Sequence, residues 1–80
     1  MKFQFPAILK YDETNVVNVF FPDLLGVFTF GATREEAIFM AKDVLQAVLL
    51  SMEELKTITP TPIDKLKQKF NDVVLVEVDA

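Results

Sequence analysis

Phe21-Pro22-Asp23-Leu24-Leu25-Gly26-Val27-Phe28-Thr29-Phe30-Gly31-Ala32-Thr33 divides the chain into two periodicities. Apolar residues alternate before this stretch, as in strands, and recur at helical spacing after it. The chain's two glycines, Gly26 and Gly31, both lie inside it. They are therefore the candidates for the tight turns that join the two regimes.

Upstream, Phe3, Phe5, Ala7, Leu9 and Tyr11 point one way, and Lys2, Gln4, Pro6, Ile8 and Lys10 the other, which predicts a strand with one apolar face. Pro6 has no N–H and must sit where no ladder bond is needed, at the beginning of a pairing or at a bulge. Asp12-Glu13-Thr14-Asn15 reads as a turn, and Val16 to Phe21 as the antiparallel second strand of a hairpin. Val27 to Phe30 makes a short third strand.

Thr33-Arg34-Glu35-Glu36 is a capping box, so a helix starts there. Without proline or glycine it runs to about Leu55. Ala37, Ile38, Ala41, Val44, Leu45, Val48, Leu49, Met52 and Leu55 form the stripe that should lie on the sheet. Phe39, Asp43, Gln46 and Leu50 form a second column on the far side. Lys56 to Pro62 is a breaker segment. Thr61 as cap and Pro62 at the first helical position suggest a short helix from Ile63 to Phe70. Lys65, Lys67 and Lys69 read as a solvated face, and Val73 to Val78 as the last strand.

The expected fold is α+β, with the order β-β-β-α-(short α)-β in a single domain, residues 1–80. The sheet is expected to be mixed and four-stranded, in the order 3-2-1-4, with one long helix on one face and the last strand parallel to the first. Ile8, Val16, Phe20, Val73 and Leu75 on the uncovered face would then favour a dimer or higher homo-oligomer.

Composition narrows the chemistry. With no cysteine and no histidine among eighty residues, there is neither a disulfide framework nor the commonest metal ligand and general base. No phosphate-binding loop, dinucleotide fingerprint or serine-nucleophile motif is present. The reading is a non-enzyme with no cofactor and no metal. No segment resembles a signal peptide or a membrane span, so a cytoplasmic protein is expected. The net charge of −4 disfavours binding to phosphate backbones and favours a basic partner.

Several pieces together resemble one family: Phe5-Pro6-Ala7-Ile8, Phe20-Phe21-Pro22-Asp23-Leu24 with Gly26, Phe28-Thr29, Gly31 and Thr33, the Glu35-Glu36-Ala37 helix start with Ala41 and Lys42, the Pro60/Pro62 breaker, and Val74-Leu75-Val76-Glu77-Val78-Asp79. In this order and spacing they look like the HicB antitoxin family. The sequence departs from the usual pattern at Leu25, Val27 and Phe30, where relatives usually carry proline, often cysteine, and a polar residue.

The resemblance implies a partial, degenerate ribonuclease H-like fold without nuclease activity. It also implies an antitoxin of a type II toxin-antitoxin pair, whose partner is a small basic HicA-like toxin that cleaves mRNA. Relatives usually continue into a DNA-binding segment, and none is expected of these residues. Two other readings compete: a stand-alone dimeric module for another protein or a small ligand, and a magnesium-dependent nuclease using Asp12 and Asp23. The candidate partner contacts are Asp12, Glu13, Asp23, Phe39, Asp43 and Leu50.

Overall fold

The computed structural model describes residues 1–80. In chain order the elements are β1 (Lys2–Tyr11), β2 (Val17–Phe20), β3 (Phe28–Gly31), α1 (Arg34–Ser51), a 3₁₀ turn (Glu53–Thr57), α2 (Ile63–Lys67) and β4 (Val73–Asp79). The sheet has the expected order, β3-β2-β1-β4.

The first hairpin forms because the Asp12 carboxylate organises the turn. Its Oδ1 accepts from the Thr14 N–H at 2.8 Å, the Thr14 hydroxyl at 2.7 Å and the Val16 N–H at 3.1 Å. Asn15 takes the left-handed conformation at φ 66°, which asparagine tolerates. The register then runs from Tyr11 opposite Val17 to Ile8 opposite Phe20. Along β1 the Leu9 N–H points to the β4 side, where it donates to the Asp72 carbonyl. N–H groups alternate along a strand, so Pro6 presents its missing donor to the β2 side. There the pairing has not yet begun, as the sequence required.

In the β2–β3 loop, buried Leu24 plugs into the core and Gly26 adopts φ 82°. Gly31 has a different duty from the turn expected of it. It lies within β3, and a β-carbon there would sit 2.5 Å from the Ala37 nitrogen and 2.8 Å from its Cα. Glycine is needed at this position so that the start of α1 can cross the strand closely. The cap is as expected on one side, with the Glu36 N–H donating to the Thr33 hydroxyl at 3.1 Å. The Glu36 carboxylate reaches one residue further back, to the Ala32 N–H at 3.2 Å.

Ala37, Ala41, Leu45 and Leu49 bury completely against Phe5, Ala7, Leu9, Val17, Val19, Val76 and Val78. α1 stops at Ser51 rather than near Leu55. Met52 leaves the helical region, and the 3₁₀ turn instead packs Leu55, with Ile58 behind it, onto the same core.

Two expectations are corrected here, and they have one cause. β4 pairs with β1 antiparallel, from Lys2 opposite Asp79 to Ile8 opposite Val73, so the sheet is antiparallel throughout and not mixed. The second face is also not bare. Residues 58–72 pass under the sheet, held by Asp23, whose carboxylate accepts from the Thr61 N–H at 2.9 Å and the Thr61 hydroxyl at 2.6 Å. Thr61 is thereby used as a tie and does not cap α2. The segment then returns along the opposite face, where Leu66 of α2 packs on Ile8 and Val73, and Phe20, Ile63 and Phe70 close around them. This extra traverse turns the chain round once more before β4, which reverses the strand. Ile8 and Val73 are buried, and of the residues expected to be bare only Leu75 is exposed, at 47%.

The two termini meet beside each other, with the Met1 ammonium 3.0 Å from an Asp79 carboxylate oxygen and the Ala80 N–H donating to the Met1 carbonyl.

Gly31→Ala is expected to destabilise the protein by about 2 kcal/mol or more, because the added carbon meets backbone that cannot step aside. Gly26→Ala, which points into open space and pays only for its φ, should cost about 1 kcal/mol. Urea denaturation of the two variants should rank them in that order.

Candidate functional site

The nominated residues fall into three separate places. Asp12 and Glu13 share the β1–β2 turn, at the end of the sheet where α1 begins. Asp12 is engaged by its own turn, and the hydroxyl and N–H of Thr14 hold its carboxyl below the ordinary value of 3.8. Asp23 lies beyond the opposite end of β2, with both carboxylate oxygens bonded to Thr61. The two acids that a nuclease reading required to converge are thus kept apart by the length of β2. No three acidic side chains come together elsewhere.

Phe39, Asp43 and Leu50 do form one surface. At spacings of four and seven residues they line the face of α1 turned away from the sheet, over a rise of roughly 16 Å. Phe39 is 67% exposed and Leu50 58%. Gln46, in the same column, is turned aside, its amide donating to the Asp79 carbonyl at 2.8 Å. What remains is an acid flanked by two solvent-facing apolar groups, an arrangement suited to docking a partner with a basic, partly apolar surface.

A second exposed apolar surface was not among the nominated residues. Leu25 is fully exposed, and Phe28 and Phe30 project from β3 with most of their surface in solvent. The signal was present in the sequence. Between Asp23 and Arg34 there is no charge, and the strand order places Phe28 and Phe30 on one face of an edge strand.

One polar cluster joins three elements. Arg34, the first residue of α1, donates to both Asp72 oxygens, from Nε and from a terminal nitrogen, at 3.0 Å each. The Tyr11 hydroxyl donates to Asp72 at 2.7 Å. The Asp72 carbonyl also receives the Leu9 N–H, so this residue pins the end of β1, the start of α1 and the entry to β4. The Arg34 hydrogen bonds lower the Asp72 pKa, with lesser help from Tyr11, while partial burial opposes them. The hydrogen bond to Asp72 raises that of Tyr11. Each group's capacity is taken up by its neighbours, which marks a structural clasp.

Comparison with known proteins agrees with the sequence resemblance. The family described as HicB_like antitoxin of bacterial toxin-antitoxin system matches residues 5–80. Antitoxin HicB 2 of Photorhabdus laumondii is 39% identical over 62 residues, which cover 78% of this chain and 44% of that protein. The chain thus spans less than half the length of this relative. Among solved structures, the N-terminal domain of Burkholderia pseudomallei antitoxin HicB superposes with a TM-score of 0.81 at 26% identity, covering 98% of this chain and 100% of that one. The B. pseudomallei antitoxin HicB in a longer form gives 0.76 at 24% identity, with 98% of this chain and 63% of that one covered, and shows the shared fold.

The clasp has a pH signature. Asp72 and Asp12 both have folded pKa values depressed below 3.8, so their contribution is fully present above that value and is lost as pH falls through the folded pKa. Unfolding free energy should be level above about pH 5 and decline below about pH 4. Asp72→Asn should flatten part of that decline and cost about 1 kcal/mol at neutral pH, a modest figure because half-exposed Arg34 is screened by solvent.

Proposed function

We propose that this chain, which belongs to the HicB-like antitoxin family, binds and neutralises a small basic mRNA-cleaving toxin of the HicA type. The observation that carries the reading is the family match across residues 5–80. Residues 1–80 would act as one HicB-like domain in the cytoplasm, by binding alone, with no catalysis, no cofactor and no direct contact with nucleic acid. Self-association is part of the same proposal.

The net charge of −4 supports a basic partner, since complementary fields speed encounter and disfavour wrong partners. A protein that handles RNA carries cationic surface for the phosphates, and an acidic domain placed over that surface competes directly with the substrate. The outer face of α1 suits the contact best, with Phe39 and Leu50 as apolar anchors and Asp43 as the charge between them. Glu13 adds a second exposed acid at the hairpin. Asp12 and Asp23 contribute to the field, because their carboxylates are already bonded within the fold.

Co-expression with the small basic protein encoded by the adjacent gene should recover a complex and suppress that protein's RNA cleavage. Phe39→Ala and Asp43→Lys should each weaken the complex by at least about tenfold in calorimetric titration, while circular dichroism stays unchanged. Failure to recover any basic neighbour would overturn the toxin reading in favour of a stand-alone binding module. A complex untouched by both substitutions would move the contact away from α1.

A further inference from the structure

We propose that the free edge of β3 pairs with β3 of a second copy, in antiparallel register about a two-fold axis at Thr29. This specifies the surface for the self-association suggested above and is independent of the toxin.

The direction of each backbone group in β3 follows from the ladder. The Phe21 N–H donates to the Val27 carbonyl, so Val27, Thr29 and Gly31 direct their N–H and C=O groups toward β2. Phe28 and Phe30 direct theirs outward. β3 ends the sheet, and no turn, loop or cap hydrogen bond reaches either residue. Each copy therefore offers an isolated set of two donors and two acceptors.

One two-fold arrangement satisfies all of them. With Thr29 opposite Thr29 of the second copy, Phe28 lies opposite Phe30 and Phe30 opposite Phe28. Each such pair is of the kind that exchanges both hydrogen bonds. An axis at Phe28 or at Phe30 would leave the other phenylalanine opposite residue 26 or 32, outside the strand. The required pattern is self-complementary, as an isologous contact must be.

The side chains agree with the backbone. Phe20 and Phe28 are already directly opposite across β2 and β3, and Phe70 meets Phe20 edge to face with centroids 6.3 Å apart. Pairing would bring Phe30 of the second copy beside Phe28 and extend this row of rings across the axis. Cross-strand aromatic pairs stabilise such contacts. Phe28 and Phe30 are 71% and 64% exposed, on a strand with none of the charges, prolines or bulges that normally guard an edge. The other edge, β4, carries Glu77 and Asp79. Two copies of a chain with a net charge of −4 repel each other, and the charge-free stretch from Leu24 to Thr33 is where they can meet with least repulsion. A basic toxin, by contrast, finds no acid there.

The buried area is small, roughly 250–300 Å² of phenylalanine surface per copy beside the paired backbone, below the range of stable specific interfaces, so the association is weak and transient. The dimer should therefore build up across the micromolar to millimolar range. Sedimentation equilibrium over that range should show the 9.1 kDa chain approaching twice its mass. Amide exchange at Phe28 and Phe30 should slow at least tenfold as concentration rises, while Thr29 and Gly31, bonded to β2, stay protected throughout. Phe30→Pro removes one outward donor and leaves the β2 ladder intact, and the double variant F28K/F30K places charge at the axis. Both should stay monomeric with unchanged circular dichroism. A wild-type chain that is monomeric at 1 mM overturns both this inference and the wider self-association. A dimer that persists in F28K/F30K, with fast exchange at Phe28 and Phe30 in the wild type, overturns the β3 surface alone.

Discussion

The missing β-carbon at Gly31 sets the spacing between helix and sheet, and most of the fold depends on that spacing. The backbone of Glu36 and Ala37 occupies the volume that any side chain at Gly31 would need. α1 thus begins in contact with β3. It continues down the sheet on Ala37 and Ala41, both fully buried and both small, before Leu45 and Leu49 fill the wider space further along. Small side chains where the helix is closest and larger ones further along match the side-chain volume to the interface, which matters in a core of this size because unfilled volume is costly.

The second determinant is the crossing of residues 58–72 from one face of the sheet to the other. It lets an eighty-residue chain bury apolar groups on both sides of four strands, with α1 over one face and Leu66 over the other. Two polar devices fix its path, Asp23 with Thr61 at the bottom and Asp72 with Arg34 and Tyr11 at the top. Acids that look available for binding in the sequence are thereby committed to architecture. Exposed phenylalanines remain on the outward column of α1 and the rim of β3.

What could be read from the sequence was what local chemistry decides. The Asp12 turn, the capping box at Thr33, the alternation in β1 and the hairpin of β1 with β2 all rest on residues within a few positions of one another. The direction of β4 rests on where a breaker segment goes after it breaks the helix. Lys56 to Pro62 specifies an interruption but no destination, and the deciding contact pairs Asp23 with a residue far along the chain. The placement of the candidate residues divides along the same line. Asp23 reads as a free surface acid because the Thr61 hydroxyl that occupies it lies far along the chain, whereas the Thr14 hydroxyl on Asp12 belongs to the turn itself. The exposure of Phe39 and Leu50 is legible because helical spacing alone places them opposite the core.

The antiparallel pairing of β1 with β4 joins residues at the two extremes of the chain, with Lys2 opposite Asp79. β1 is central in the sheet, yet one of its two neighbours lies more than sixty residues further along the chain and is synthesised long after it. Until Val73–Asp79 emerges, the row of backbone groups from Phe3 to Leu9 stands open, beside Phe5 and Ile8, which the finished protein hides completely. Closing so long a loop delays the final step of folding. The nascent chain therefore passes through an interval in which the strand with the most buried residues is an unprotected edge, open to misplaced pairing.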